Sequence, residues 1–252
     1  MVKMRFGLLL TFGFALAAVS TQGYAAELRI FTPSALWTVL KKIGPQFERS
    51  TGHKLNVMGG ISETLARRIE GGEIVDIFVG PAPPMDRLVQ GSKILPDTRV
   101  PLARSGIGVE VRAGAPKPDI GSLEAFKRAL LNAKSIGYLR TGASGVHLAG
   151  AFERLGIAEA IKPKVTRPAT DTVSELVAKG EIELGMVVMT QIVTTAGVEL
   201  VGPIPNEIQF YVRWFGGVTA NSKAPEAARD FLKFLTGPAA DPILKGQGME
   251  RG

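Results

Sequence analysis

Cysteine is absent from the 252-residue chain, and histidine occurs only at His53 and His147. The absence of cysteine excludes disulfide bonds, thiolate metal ligands and a lipid-anchored cysteine behind a signal sequence. Two histidines this far apart, with no cysteine beside them, argue against a transition-metal cation site. We therefore expect the protein to work without a metal ion and without a cofactor.

The chain also lacks a concentrated run of basic residues, although its formal net charge is +7. Lysine and arginine are spread along the sequence and are not interleaved with aromatic residues, so we expect no nucleic-acid partner. Removal of Lys3 and Arg5 with the leader described below lowers the net charge to about +5. A modest positive excess of this kind favours the approach of a small anionic solute.

Long apolar runs are missing except at the amino terminus. There Phe6–Val19 follows two cations and precedes the small-residue segment Gly23–Ala25. This order is typical of a secretory signal peptide at residues 1–25, with cleavage after Ala25 or Ala26. The run is too short for a transmembrane helix, and no later segment reaches the necessary length. We expect an exported, soluble and monomeric protein of the periplasm.

The rest of the chain alternates short apolar segments with segments of helical periodicity. Residues 28–31, 54–58 and 74–79 are predicted strands, and residues 36–47 carry their apolar side chains on one helical face. Such alternation predicts a largely parallel α/β fold. In that class of fold a ligand binds beyond the carboxyl ends of the strands.

Two longer segments, Pro101–Arg112 and Gln209–Thr219, are predicted to be extended strands that cross between two lobes. We therefore expect a two-lobed α/β fold with two hinge crossings. In this prediction lobe 1 holds residues 26–103, lobe 2 holds residues 104–202, and residues 203–252 return to lobe 1.

The segment around residues 135–149 is the most informative for function. A predicted strand, Ser135–Leu139, precedes a Gly-, Ser- and Thr-containing loop, and the helix after it stops at Gly156. In such a loop the free backbone N–H groups and the positive helix end point toward one spot, which suits an anion. The alternative is an ordinary strand-to-helix turn in which Ser144 caps the helix.

Ser34 and Ser62 occupy matching positions, each at the start of a helix that follows a predicted strand. Each serine either caps its helix, with Ser34 a good N-cap, or donates its hydroxyl to a bound anion. Charge-assisted hydrogen bonds of the second kind are worth roughly 1.5–3 kcal/mol each.

These segments resemble the type 2 periplasmic solute-binding proteins of the molybdate-binding kind, over most of the mature chain. The residues that carry the resemblance are Phe31–Leu36, Ile61–Gly72, Asp76–Val79, Gly145–Gly156 and Glu183–Val187. The ordered set at matching spacing implies the fold of that family more strongly than it implies a particular ligand.

The resemblance also implies a set of site residues. In that family an oxyanion is held by two serines, which correspond to Ser34 and Ser62, and by backbone amides that open later helices. The corresponding helix openings are at Ser144, Gly145 and Val146, and at Asp171, Thr172 and Val173. The tyrosine that often completes the site corresponds to Val188, which has no hydrogen-bonding side chain, so the resemblance supports the family more strongly than it supports molybdate or tungstate as the ligand.

Four ionisable residues near these segments have alternative roles. Arg140 is either a solvated side chain or a clamp for a carboxylate. Arg213 lies in an otherwise apolar strand, where a charge needs either a ligand or an acidic partner. His147 either packs or caps near the helix start or takes part in chemistry, and Glu63 either caps its helix or acts as a base.

The sequence thus favours an exported receptor that captures a small anion, either an oxyanion or an organic carboxylate, between two lobes and presents it to an ABC permease. The alternative is an enzyme on the same scaffold, because the lineage also resembles periplasmic aconitate isomerase. In that case His147 or Glu63 would be the base, and Arg140 and Arg213 would clamp carboxylates. Whether the protein has catalytic turnover is left open at this point.

Overall fold

The computed structural model describes residues 25–169 and 172–252, with the side chains of residues 34, 35 and 142 excepted. The predicted signal peptide therefore lies outside the described residues, apart from Ala25. The β-strands are β1 Glu27–Pro33, β2 Lys54–Gly60, β3 Ile77–Pro81, β4 Val100–Arg112, β5 Ile136–Tyr138, β6 Val165–Thr166, β7 Leu184–Val188, β8 Val198–Pro203, β9 Tyr211–Val218 and β10 Glu250–Arg251.

Helices connect these strands. The α-helices are α1 Ser34–Thr51, α2 Ser62–Glu70, α3 Ala82–Gln90, α4 Leu123–Asn132, α5 Gly142–Arg154, α6 Ala158–Ile161, α7 Val173–Lys179, α8 Met189–Ile192, α9 Pro225–Leu235 and α10 Asp241–Lys245. Short 3-10 helices lie at Pro96–Thr98, Lys162–Lys164, Asn206–Ile208 and Pro238–Ala240. Within the described part of the chain, no helix has both the length and the apolarity that a bilayer crossing requires.

Helix α1 shows how the sequence pattern produces the packing. Its predicted apolar face is buried, with each side chain at most 3% exposed, at Leu36, Val39, Leu40, Ile43 and Phe47. This spacing places one stripe of the helix against the sheet. The helix ends before Gly52, whose φ of 79° is a left-handed conformation that glycine adopts without strain.

Two predicted boundaries were wrong by a few residues. Strand β3 begins at Ile77 and not at residue 74, and it continues through Pro81 because it pairs with β9 there. Helix α5 begins at Gly142, so residues 142–145 form its first turn and not an extended loop. Glycine and serine favour both turns and helix starts, and local sequence does not separate the two.

The strands form one curled sheet in the order β2-β1-β3-β9-β4-β7-β5-β6, and β10 and β8 also pair with β4. Strands β1, β2 and β3 are mutually parallel, as are β5, β6 and β7. Strand β9 is antiparallel to both β3 and β4. Each half of the sheet is therefore largely parallel, as the strand–helix alternation predicted.

Strand β4 belongs to both halves of the sheet, which makes it the first of the two crossings. Its residues Val100–Gly106 pair with β9, and its residues Ile107–Arg112 pair with β7 and β8. Separate hydrophobic cores fill the two halves. The first contains Phe47 and Phe231, and the second contains Phe126, Phe152 and Met186.

The side chain of Gln209, at the start of the predicted return crossing Gln209–Thr219, is hydrogen-bonded to β4. Its Oε1 accepts hydrogen bonds from the backbone N–H groups of Ile107 at 2.8 Å and Phe210 at 2.9 Å. Its Nε2 donates to the carbonyl oxygens of Ile107 at 3.0 Å and Ile204 at 3.3 Å. Gly106 leaves room for this amide, because a Cβ there would lie 2.9 Å from it. The Gln209 amide therefore pairs with β4 at the point where that strand changes partners.

Candidate anion-binding site

The carboxyl ends of the parallel strands in both halves converge on the middle of β4. At the end of β3, Pro81 pairs with Trp214 of β9, which pairs in turn with Ala103 of β4. At the end of β7, Val188 pairs with Ile107. Strand β3 runs parallel to β4 and β7 runs antiparallel to it, so the two ends approach from opposite directions. The two strand ends lie level with Ala103 and Ile107 of β4, and four residues of an extended strand span roughly 13 Å.

Helices α1 and α2 open side by side in the first half. Pro33 and Gly60 are register partners in the parallel pair β1–β2, and neighbouring strands lie about 4.8 Å apart. Helix α1 starts at Ser34 with Pro33 at the N-cap position, and α2 starts at Ser62 with Ile61 at the N-cap position. The prediction of Ser34 as the N-cap was therefore wrong by one residue.

Neither helix opening is capped by a side chain that the structure describes. The amide N–H groups of the first turns are therefore available to another acceptor. Ser62 is half-buried, and its hydroxyl makes no hydrogen bond to a described residue. Because Ile61 and not Ser62 holds the N-cap position, the capping interpretation of Ser62 was wrong. Contact of Ser34 and Ser62 with a ligand stays a prediction.

Helix α5 supplies the corresponding opening in the second half. Its N-cap residue is Thr141, so Ser144 is the third helical residue and not a cap. Ser144 is only 8% exposed, yet its hydroxyl has no hydrogen-bond partner among residues 25–169 and 172–252. Gly145 is buried, whereas Val146 is 64% exposed. A hydroxyl without a protein partner at a helix opening can donate a hydrogen bond to a bound polar group.

Gly145 sets how closely α5 approaches the strand that precedes it. A Cβ at this position would overlap the carbonyl oxygen of Leu139. We expect Gly145→Ala to lower the free energy of unfolding by about 1–3 kcal/mol, measured by urea denaturation. Gly150→Ala in the same helix is the matched control, because its nearest neighbour is Arg154 Nη1 at 3.4 Å, and it is expected to be neutral or stabilising. Equal stability of both variants would contradict this close approach.

The loop after β5 is held against the loop after β6. The backbone N–H of Arg140 donates to the carbonyl oxygen of Pro168 at 2.9 Å, and Arg167 Nη2 donates to the carbonyl oxygen of Arg140 at 3.3 Å. Helix α7 follows with Thr172 as its N-cap residue, while Asp171 lies outside the described residues. The structure thus brings the predicted openings of α5 and α7 to the same edge of the sheet.

Arg140 and Arg213 carry positive charges that no described acidic side chain neutralises. Both side chains are exposed, and neither forms an ion pair within the described residues. Arg213 lies opposite Arg104 in the β4–β9 pair, and Arg104 is itself paired with Glu250 at 2.9 Å. An acidic partner for Arg213, one of its two predicted roles, is therefore not found among these residues. Contact of either arginine with a ligand stays a prediction.

His147 contacts the return crossing. Its Nε2 lies 2.7 Å from the carbonyl oxygen of Ile208, and its ring lies against that of Phe210 with centroids 5.1 Å apart. Because a carbonyl oxygen only accepts, Nε2 must carry the proton. In the neutral imidazole, Nδ1 is then the acceptor nitrogen.

The carboxylate of Glu63 is hydrogen-bonded to two arginine side chains. Its Oε1 accepts hydrogen bonds from Arg67 at 3.2 Å and from Arg87 at 3.1 Å, on the surface between α2 and α3. Glu63 is therefore held by two guanidinium groups and is a poorer candidate for a base than His147. The described residues contain no group of three or more His, Asp or Glu side chains that could hold a metal ion.

Comparison with known proteins identifies the family to which the chain belongs. Residues 28–250 match the family profile described as bacterial extracellular solute-binding protein. The chain belongs to this family of solute-binding proteins. Among its relatives, an aconitate isomerase from Pseudomonas sp. is 30% identical, over 94% of each chain. The molybdate-binding protein ModA of Escherichia coli strain K12 is 28% identical, over 96% of this chain and 95% of its own length.

The fold of this solute-binding protein is shared with solved structures. A substrate-binding domain ascribed to a molybdenum ABC transporter of Clostridium difficile matches it with a TM-score of 0.80 at 20% identity, over 90% of this chain and 100% of that domain. The predicted type 2, two-lobed α/β fold and the predicted relationship to the molybdate-binding kind are thereby confirmed.

The solute-binding protein also contains a buried carboxyl group that the sequence analysis missed. Glu110 in β4 is 0% exposed; its Oε1 accepts a hydrogen bond from Ser174 Oγ at 2.9 Å, and its Oε2 has no partner among the described residues. Burial raises the pKa of Glu110 to about 7, and the Ser174 hydrogen bond opposes part of that rise. The available signal was a charged residue between Val109 and Val111, both of which are buried.

Proposed function

We propose that this solute-binding protein captures a small anion, either an oxyanion or an organic carboxylate, between two lobes. In the proposed division, residues 26–103 and 203–252 form one lobe and residues 104–202 form the other. The ligand would lie where the carboxyl ends of the two sets of parallel strands approach each other. Ser34 and Ser62 would bind it from one side, and Ser144, Gly145, Val146 and Thr172 from the other.

The hydroxyl of Ser144 is the observation that carries this proposal. Ser144 lies in the first turn of a helix without a side-chain cap, and its hydroxyl has no partner in the described chain. An anion at this helix end would accept hydrogen bonds from the Ser144 hydroxyl and from the free backbone N–H groups, and each charge-assisted bond is worth roughly 1.5–3 kcal/mol. Helices α1 and α2 are likewise uncapped by described side chains. Family membership supports the same function.

The proposed partner is an ABC permease in the inner membrane, and the proposed location is the periplasm. The family's extracellular description and the predicted signal peptide support that location. Ligand contacts made by both lobes would favour the closed form, which would then be presented to the permease.

Ser62→Ala and Ser144→Ala test the site. With a bound anion found by calorimetry across oxyanions and small carboxylates, each change is expected to weaken binding about 10- to 100-fold, since it removes one charge-assisted hydrogen bond. The free energy of unfolding should hardly change, because neither hydroxyl has a protein partner in the described chain.

Ser122→Ala is the matched control. The Ser122 hydroxyl accepts a hydrogen bond from the Ala125 backbone N–H at 3.2 Å and so caps α4. Its loss is expected to lower stability by about 1 kcal/mol and to leave ligand affinity unchanged. If both Ser62→Ala and Ser144→Ala bind the anion as tightly as the wild type does, the proposed site is wrong.

A second candidate function is isomerisation of a tricarboxylate such as aconitate. Two observations favour it: a relative of that name at 30% identity, and the orientation of His147, whose Nε2 is bound by Ile208 so that Nδ1 is free to accept a proton. Arg140 and Arg213 would hold carboxylates in this reaction. Incubation with cis- and trans-aconitate tests it, with His147→Ala as the control; unchanged aconitate would exclude the isomerase.

A further inference from the structure

Large apolar side chains are exposed beside the proposed anion-binding groups. The described residues expose Trp37, Met58, Ile61, Ile74, Leu131, Val146 and Val193. Most of these belong to segments that follow or end the parallel strands, where the site is proposed. Ile74 and Leu131 do not, since Ile74 precedes β3 and Leu131 lies near the end of α4. Exposed apolar groups that gather at one place mark a surface that binds something.

Ile61 is the clearest case in the first half. It is 74% exposed and holds the N-cap position of α2, directly before Ser62. Serine, threonine, asparagine and aspartate stabilise a helix start, whereas isoleucine does not. Helix stability therefore does not explain this residue. An isoleucine there leaves the amide N–H groups of α2 uncapped and adds an apolar surface next to them.

Trp37 extends that surface. It is 40% exposed and lies in the opening of α1, three residues after Ser34. Its indole packs against the end of β2, where a Cβ at Gly59 would approach it to 2.9 Å. Because Pro33 and Gly60 are register partners, the indole and Ile61 border the two adjacent helix openings.

Val146 in the second half does not share this arrangement. It is 64% exposed and lies two residues after Ser144, and side chains two positions apart point to different faces of a helix. At the end of β7, Val188 adds no hydrogen-bonding side chain. The apolar surface beside the proposed anion-binding groups is therefore that of Ile61 and Trp37 in the first half.

We propose that the ligand is a small organic carboxylate whose carbon skeleton lies against Ile61, with Trp37 at its border. This inference rests on the proposed anion-binding function and narrows its ligand. A bare oxyanion has only polar oxygens at its surface and gains nothing from burying apolar side chains. A carboxylate with a hydrocarbon portion gains from both parts of the site. The exposed charges of Arg140 and Arg213 are available for its carboxylate groups.

Calorimetry with succinate, methylsuccinate and dimethylsuccinate, alongside sulfate and molybdate, tests the ligand class. We expect the dicarboxylates to bind and each methyl group that reaches the apolar surface to tighten Kd about fourfold. Ile61→Ala is expected to weaken dicarboxylate binding about tenfold. Alanine is used at position 61 because threonine would add a helix cap.

Ile74→Ala is the matched control, since this isoleucine is 42% exposed and precedes β3 at the opposite end of the strand; it should bind dicarboxylate as the wild type does. Binding of sulfate or molybdate without binding of any dicarboxylate overturns this inference and leaves the anion receptor standing. Dicarboxylate binding that is equally tight in Ile61→Ala and in the wild type also overturns it. Absence of binding in both ligand classes overturns the anion receptor itself. All variants alter exposed side chains, and an unchanged melting temperature verifies their folding.

Discussion

Replacing Glu110 by glutamine is expected to raise the free energy of unfolding by about 3 kcal/mol at pH 8 and to change it little at pH 4. Glu110 is fully buried in β4, and one of its carboxyl oxygens has no partner among the described residues. Burial raises its pKa to about 7 from an ordinary value of 4.5. Glutamine has the same shape and stays neutral at every pH tested.

The sign follows from the direction of the pKa shift. A carboxyl group with a raised pKa in the folded state binds its proton more tightly there than in the unfolded chain. Its stabilising contribution is complete below pH 4.5 and is lost as the pH rises through about 7. Above that pH the wild type must keep a charge in an apolar site, which the glutamine variant avoids.

Urea denaturation of both proteins between pH 4 and pH 8 measures this effect as the difference between variant and wild type. Glu199→Gln is the control, because Glu199 lies on the neighbouring strand β8 and its pKa is lowered by the hydrogen bond from Lys117. Its replacement should act in the opposite direction, lowering stability at pH 8 relative to pH 4. A stability difference for Glu110→Gln that does not vary with pH would contradict the raised pKa.

Replacing Gln209 by alanine is expected to lower the free energy of unfolding by about 2–4 kcal/mol. The change removes hydrogen bonds to Ile107, Ile204 and Phe210. Ile107 is fully buried, so its backbone N–H would lose its acceptor in a place that water does not readily reach. The loss falls where β4 passes from one half of the sheet to the other, so we also expect a change in ligand affinity.

Chemical denaturation and calorimetry of the same Gln209→Ala preparation measure both effects. Gln247→Ala is the matched control, because Gln247 is the more buried of the two, at 8% exposure, but its amide donates only to the adjacent carbonyl oxygen of Gly246. It should cost less stability and leave ligand affinity unchanged. Equal losses of stability and of ligand affinity in the two variants would contradict the importance of the hydrogen bonds between Gln209 and β4.

The sequence alone determined the features that depend on local pattern. The apolar stripe of α1, the alternation of strands and helices and the extended crossing at β4 are all confirmed. Period and turn chemistry encode these features directly, because neighbours along the chain decide which face of an element is apolar. The ordered motifs from Phe31 to Val187 likewise sufficed to identify the family, which the match over residues 28–250 confirms.

Only the tertiary structure decided which polar groups are satisfied. From the sequence, Ser62 and Ser144 could each be a helix cap or a ligand donor, and the positions of Ile61 and Thr141 at the helix starts removed the capping role. Glu110 was visible as a charge in an apolar strand, but its missing partner was not.

Gln209 gave no local signal at all, because its partner Ile107 lies 102 residues away in the chain. Hydrogen bonds of that kind depend on the register between distant strands. Register is set by the packing of the whole sheet and by no single segment of the sequence.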